Sequence, residues 1–251
     1  RQSEPIDVTP ATGTTSDAGA PVALIDWERA RKIAISMHRR SALGEAERQH
    51  LSTMYRDMVQ RTAPVVLRHM GIADELTFTD VLAVDRVDWI NANMVGFERM
   101  LAPLNSMNLL GTSTGRAAAI AAGINRTVLS TELGVLLGYL ARRVLGQYDL
   151  ALFGSEPLDM SATGRLYFVH PNIEATETVL GVPAEQFRLW IALHETTHAV
   201  QFEGHPWLRV HMNGLITEYF RLLTGDIDYL GRGMALLKSL TSRSRSRQQS
   251  G

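Results

Sequence analysis

Apolar residues recur every three or four positions along most of the chain, the spacing that puts them on one face of an α-helix. The clearest stripe predicts a helix over residues 26–38 and consists of Trp27, Ala30, Ile33, Ala34 and Met37. The same spacing predicts helices over residues 45–60, 88–101, 114–145 and 187–202. Proline has no amide hydrogen and disfavours helix interiors. Pro64 is therefore expected to break the second helix, and Pro103 to end the third.

Two short segments have the composition of β-strands. Residues 165–169, Arg-Leu-Tyr-Phe-Val, are rich in aromatic and aliphatic side chains and are closed by His170-Pro171-Asn172. Residues 80–84 are a second candidate. The chain is therefore predicted to be mainly α with a small β component.

Composition divides the chain into a core region and two tails. Residues 1–22 are rich in Thr, Pro, Gly, Ser and Ala, and residues 239–251 are rich in Ser, Arg and Gln. Such segments have few side chains to bury, so residues 1–22 are expected to be an unstructured tail. Residues 239–251 are expected to be either an unstructured tail or a loop that is cut short. Residues 23–238 are predicted to form a single, mainly helical domain.

Charge and composition argue against several classes of protein. The formal net charge is −1, which gives no electrostatic reason to bind nucleic acid or an anionic membrane, so neither partner is expected. No apolar run reaches the roughly 18 residues of a membrane span. The chain has no cysteine, so a metal site must use His, Asp or Glu, and we expect a cytoplasmic location.

The most informative stretch lies inside the helix predicted over residues 187–202, where His194-Glu195-Thr196-Thr197-His198 reads H-E-x-x-H. Residues four apart lie on one helix face, so His194 and His198 can bind one Zn²⁺ through neutral imidazoles. Glu195 is then placed to act as general base toward a water that the zinc activates. Apolar residues surround the motif and predict a buried helix: Leu189, Trp190, Ile191, Leu193, Ala199, Val200 and Phe202.

A catalytic zinc site takes three protein ligands, and the sequence leaves the third one open. Glu218 follows His198 at a spacing similar to that of some gluzincins. If Gly204 and Pro206 frame a tight helical hairpin, His211 lies level with His198 and is the nearer candidate. A residue beyond the end of this chain is the third alternative. Gly204 stands where a metzincin would need histidine, which disfavours that class.

Several segments resemble one known family. The most specific is Phe-Arg-Leu-Trp-Ile-Ala-Leu-His-Glu-Thr-Thr-His-Ala-Val-Gln-Phe at 187–202, followed by Pro-Trp-Leu-Arg at 206–209. Others are Val-Asp-Arg-Val-Asp-Trp-Ile-Asn-Ala-Asn at 84–93, Arg-Val-Leu-Gly-Gln-Tyr-Asp at 143–149 and Leu-Tyr-Phe-Val at 166–169. They resemble zincin-like hydrolases of actinobacteria and Chloroflexi that are named for an association with coenzyme F420 biosynthesis. The resemblance runs from about residue 25 to residue 225.

The resemblance implies a mainly helical zincin-like fold and a metallohydrolase, without implying a substrate. The family continues past the end of this chain with a further glutamate-bearing helix, so the resemblance also favours a third ligand from outside it. We therefore hypothesise a zinc-dependent, metallopeptidase-like hydrolase acting on a peptide or a small amide. The strand at 165–169 is either an ordinary buried strand or an edge that pairs with an extended peptide. The alternatives are an inactive zincin-fold scaffold protein and an amidase acting on a small metabolite.

Overall fold

The computed structural model describes residues 24–38, 43–73, 76–105, 116–149, 164–219 and 222. In chain order, its elements are α1 (Trp27–Ser36), α2 (Glu45–Met70), β1 (Val81–Val84), α3 (Arg86–Asn105), α4 (Arg116–Leu140), β2 (Gly146–Asp149), β3 (Arg165–Val169), α5 (His170–Leu180) and α6 (Ala184–Glu203). A further helix, α7, covers residues 206–219. The prediction of a mainly α protein with a small β component is confirmed.

The three strands form one sheet in the order β1-β3-β2. β1 runs parallel to β3, and β2 pairs with β3 in the antiparallel direction. β3 is therefore the central strand, with a partner on each side. Of the two alternatives for residues 165–169, the structure has the buried strand, because no edge of β3 is open to a peptide.

Helices cover both faces of this sheet. Successive side chains of a strand point to opposite faces, so Leu166 and Phe168 lie on one side of β3 and Tyr167 and Val169 on the other. The first pair joins a core with α2, α5 and α6, in which Phe168 stacks on Tyr55 with 4.3 Å between ring centroids. The second pair joins a core with α1, α3 and α4. The described part of the chain is thus a three-layer arrangement with the sheet in the middle.

Two proline predictions are wrong, because both helices continue through the proline. α2 extends to Met70 and contains Pro64, and α3 extends to Asn105 and contains Pro103. In α2, Pro64 lies on the exposed face while Ala63 and Val66 beside it are buried. Packing holds the helix on both sides of the proline, and water can reach the carbonyl that loses its hydrogen bond.

Two predictions fall wholly or largely on parts of the chain outside the described residues. The tails expected at residues 1–22 and 239–251 lie there, and so do the boundaries of the single domain expected between them. Across the ranges that the structure describes, no helix is long and apolar enough to cross a membrane.

Candidate metal and catalytic site

Helix α6 carries the H-E-x-x-H motif, with the two histidines on one face and the glutamate on another. Pro183 is the N-cap of this helix and Gly204 is its C-cap. Glu195 and Thr196 are buried, whereas His194 and His198 are exposed. Thr196 fixes the buried face, because its hydroxyl lies 3.0 Å from that of Thr62 in α2.

The prediction that the apolar residues bury this helix holds for one face only. Ile191, Ala199 and Val200 are buried, but Trp190 is 57% exposed. The Trp190 ring lies beside Phe187 and His194, with centroid distances of 6.0 Å to each. The histidine side of α6 is therefore open, and its tryptophan lies beside the first histidine of the motif.

The two histidines lie next to each other, with 4.8 Å between ring centroids and the rings nearly perpendicular. Partial burial lowers the pKa of His194, and the neighbouring His198 lowers it further. Both effects favour the neutral imidazole, which is the form that binds a metal ion. The donor chemistry and the spacing of this pair therefore fit two ligand positions of a zinc ion.

Glu195 is the buried member of the motif, with 6% of its surface exposed. Burial raises the pKa of Glu195 from 4.5 to about 7, and a hydrogen bond from the Tyr148 backbone N–H partly opposes this rise. A carboxyl group that titrates near neutral pH can both accept and return a proton under physiological conditions. Its burial and its neighbours give Glu195 the properties of a general base.

A cleft of about 330 Å³ joins the three motif residues to strand β2. We call it the histidine cleft; its lining is Gly146, Gln147, Tyr148, His194, Glu195, His198 and Phe202. β2 was not predicted from the sequence, and it supplies three of these residues. Its Gly-Gln-Tyr-Asp sequence is short and contains glycine and aspartate, which are depleted in strands, so only the antiparallel pairing in the structure identifies it as a strand.

The ladder between β2 and β3 directs part of the β2 backbone into the cleft. The Val169 N–H donates to the Leu145 carbonyl, which makes these two residues a hydrogen-bonded pair. Pairs alternate along an antiparallel ladder, so the backbone groups of Gly146 and Tyr148 point away from β3. The bond from the Tyr148 N–H to Glu195 agrees with this direction.

Gly146 allows the close approach of β2 to Glu195. A Cβ atom at position 146 would lie 2.5 Å from Cγ and 2.7 Å from Cδ and Oε1 of Glu195. Real Cβ atoms do not come so near, so any larger residue must displace the carboxyl group or the strand. Gly146 is thus required by the site, and the sequence gives no local sign of this role.

We expect the substitution Gly146→Ala to destabilise the protein by about 1–3 kcal/mol, the usual effect of overpacking a buried site. Urea unfolding monitored by circular dichroism measures this change. Gly123→Ala is the matched control, because a Cβ there meets nothing within 4 Å. In a Glu195→Ala background the destabilisation by Gly146→Ala should largely disappear. An undiminished effect in that background would show that the carboxyl group is not the obstacle.

Glu203, at the end of α6, holds Tyr148 from the other side. Its carboxylate accepts hydrogen bonds from the Tyr148 hydroxyl and, at 3.1 Å, from the Gly164 N–H, and it forms an ion pair with the buried Arg209. Burial, followed by the bond to Glu203, raises the pKa of Tyr148, so its hydroxyl stays protonated and donates. Glu203 therefore positions the residue whose backbone holds Glu195.

The third metal ligand stays a prediction. His211 and Glu218 both lie on α7 and are exposed, and the His211 ring lies 6.1 Å from that of Trp207. Among the residues that the structure describes, no three His, Cys, Asp or Glu side chains form a group that could hold a metal ion. His194 and His198 lie next to each other as predicted, and His211, Glu218 and a residue outside the chain stay the predicted alternatives for the third ligand.

Comparison with known proteins gives the family. Residues 25–248 match the sequence profile of the zincin-like metallopeptidase family, so the chain belongs to this family. No curated protein shows a significant match to the chain. The zincin-like character predicted from the sequence is therefore confirmed. Neither comparison links the chain to coenzyme F420, for which the family in the sequence analysis is named.

A solved structure from Chloroflexus aurantiacus is similar to most of this chain. It is described as that of a putative hydrolase with a novel fold. The sequences are 32% identical and the TM-score is 0.58, and the match covers 79% of this chain. This chain spans 59% of the length of that protein. Together with the family, this likeness supports a hydrolase in general.

Proposed function

We propose that this chain belongs to a zinc-dependent hydrolase of the metallopeptidase type. His194 and His198 are two of its zinc ligands, and Glu195 is its general base. The observation that carries the proposal is the environment of Glu195, which is buried, has a pKa of about 7 and lines a cleft beside two adjacent imidazoles. A structural glutamate on a helix surface would have none of these properties.

The roles of the protein groups follow from their positions around the cleft. A zinc ion bound there supplies a Lewis acid that polarises a carbonyl group and makes water acidic. Glu195 takes the proton from the attacking water and returns it to the leaving amine. The Tyr148 N–H keeps the carboxylate at the cleft wall, and Glu203 holds Tyr148 in turn.

An extended peptide is the substrate class that the strand arrangement favours. β2 lies at one edge of the sheet, and within the described ranges no strand pairs with its outer side. Because the Tyr148 N–H already donates to Glu195, an extended chain would add to this edge through the Gly146 backbone and the Tyr148 carbonyl. An amidase acting on a small metabolite would need no open strand edge and is therefore the second candidate function. Cleavage of a small amide, with no cleavage of peptides, would favour the amidase instead.

The metal content of the purified protein tests the proposal directly. After metal removal and reloading with zinc, elemental mass spectrometry should find about one zinc per chain. The zinc should be lost in His194→Ala and kept in His69→Ala, which removes an exposed histidine of α2. No zinc in the wild type would contradict the proposal and favour the reading of an inactive scaffold.

A further inference from the structure

A second cavity lies on the opposite side of β2, between α3 and the sheet. Its volume is about 490 Å³, within the range of small-ligand sites, which is roughly 300–1,000 Å³. We call it the α3 cavity; α3 contributes Asn93, Gly96 and Phe97, and the strands contribute Gln147 and Tyr167. Nothing in the proposed mechanism uses this cavity.

The polar groups of its wall are already paired with one another. The Trp89 indole donates to Gln147 Oε1 at 2.6 Å, and Gln147 Nε2 donates to Asn93 Oδ1 at 2.8 Å. Asn93 Nδ2 in turn donates to the Trp89 carbonyl at 2.9 Å. This closed chain makes no demand for a polar ligand, and the rings of Phe97 and Tyr167 offer apolar surface beside it.

The charged groups at this cavity favour an uncharged occupant. Arg99, Asp149 and Arg165 all line it, so both signs are present, and Arg165 pairs with Asp80 at 2.7 Å. Burial raises the pKa of the Asp149 carboxyl group, which shows that its surroundings disfavour charge. Arg165 is compensated by Asp80 and Arg99 is exposed to solvent, so neither requires an anionic ligand to offset a buried charge.

The α3 cavity and the histidine cleft meet around the outer edge of β2. They share Gln147, Tyr148 and Phe202 as lining residues. An extended chain lying along that edge points its successive side chains to alternate faces of the sheet. If one residue of such a chain faces the histidine cleft on the α6 side, its neighbour faces the α3 cavity.

We propose that the α3 cavity binds a bulky, uncharged apolar side chain of the peptide substrate, from the residue next to the one that faces the histidine cleft. This inference rests on the proposed function, because only a peptidase would have a peptide substrate to place in the cavity. The cavity lining includes none of His194, Glu195 and His198, so binding of a ligand there can be measured without catalysis.

Filling the cavity from α3 is the sharpest test. A Cβ at Gly96 meets nothing within 4 Å, so the side chain of Gly96→Leu starts in open space at the cavity wall. Gly123→Leu is the matched control, because it also replaces a helical glycine with open space around it but lies outside the cavity. The probe is N-acetyl-para-fluorophenylalaninamide, and fluorine NMR follows its binding.

The expected result is binding by the wild type and by Gly123→Leu, with a loss of roughly tenfold or more in affinity for Gly96→Leu. Glu195→Gln should bind as the wild type does, because the cavity does not use that residue. Undiminished binding by Gly96→Leu, or no binding by the wild type at millimolar probe, would overturn the proposal.

Hydrolysis separates this inference from the proposed function. With paired peptides that carry phenylalanine or alanine next to the scissile bond, the wild type should prefer phenylalanine, and Gly96→Leu should lose that preference while still cleaving the alanine peptide. Cleavage without any preference would overturn the α3 cavity as a substrate site and leave the metal site intact. Absence of all cleavage would contradict the proposed function, and the fluorine NMR result would then decide whether the cavity binds apolar side chains.

Discussion

Replacing Glu195 with glutamine is expected to lower kcat/KM for peptide hydrolysis by about 10²- to 10⁴-fold, the usual contribution of a general base. Glutamine keeps the size of the side chain, and its amide oxygen can still accept the Tyr148 N–H. What it loses is the ability to take a proton from water. The measurement is the rate of cleavage of an internally quenched peptide by the zinc-loaded protein.

The same variant should keep its zinc, because His194 and His198 lie on the exposed side of α6 and are unchanged. Glu185→Gln is the control, since it removes an exposed carboxyl group from the first turn of the same helix. Full activity in Glu195→Gln with normal zinc content would show that another group takes the proton. Loss of zinc in this variant would instead make Glu195 a determinant of metal binding.

The sequence predicts well where a single helix face carries the information. The stripe from Trp27 to Met37 corresponds to α1, and the helix predicted over residues 187–202 corresponds to α6. His194 and His198 come together because the geometry of one helical turn determines their spacing. None of these results depends on a distant part of the chain.

Other features depend on partners that are distant in the sequence. β2 has only four residues, and two of them are glycine and aspartate, which are depleted in strands, so its sequence does not mark it as a strand. Pro64 is tolerated because tertiary packing holds α2 on both sides of it. Trp190 is apolar yet exposed, which no helical periodicity can indicate. The need for glycine at position 146 arises only when Glu195 comes within contact distance.

Helix α5 is a different case, because the sequence contains residues typical of its start and its end, yet the sequence analysis does not predict it. The sequence predicts that His170-Pro171-Asn172 closes a strand, and in the structure these residues do so by beginning α5 directly after β3. Pro171 lies in the first turn, where proline suits a helix, and Gly181 ends the helix at a φ of 63°. α5 matters to the site because it covers the same face of the sheet as α6.

The environment of Glu195 predicts a pH-dependent gain in stability for Glu195→Gln in the zinc-free protein. The pKa of this carboxyl group is about 7 in the folded chain against an ordinary 4.5, so between these values the folded state holds a proton that the unfolded state has released. Stability therefore falls as the pH rises through this window, by about 3 kcal/mol in total. Glutamine does not titrate and escapes this loss.

Urea unfolding of the chelator-treated proteins at pH 5 and pH 8 checks the prediction. The variant should exceed the wild type by about 3 kcal/mol at pH 8 and by less than about 1 kcal/mol at pH 5. Glu185→Gln should show no such dependence, because its carboxyl group is exposed. An equal difference at both pH values would mean that glutamine acts through packing. If the variant is more stable only at high pH and has also lost hydrolysis, the ionisable base at this buried position lowers the stability of the wild-type protein.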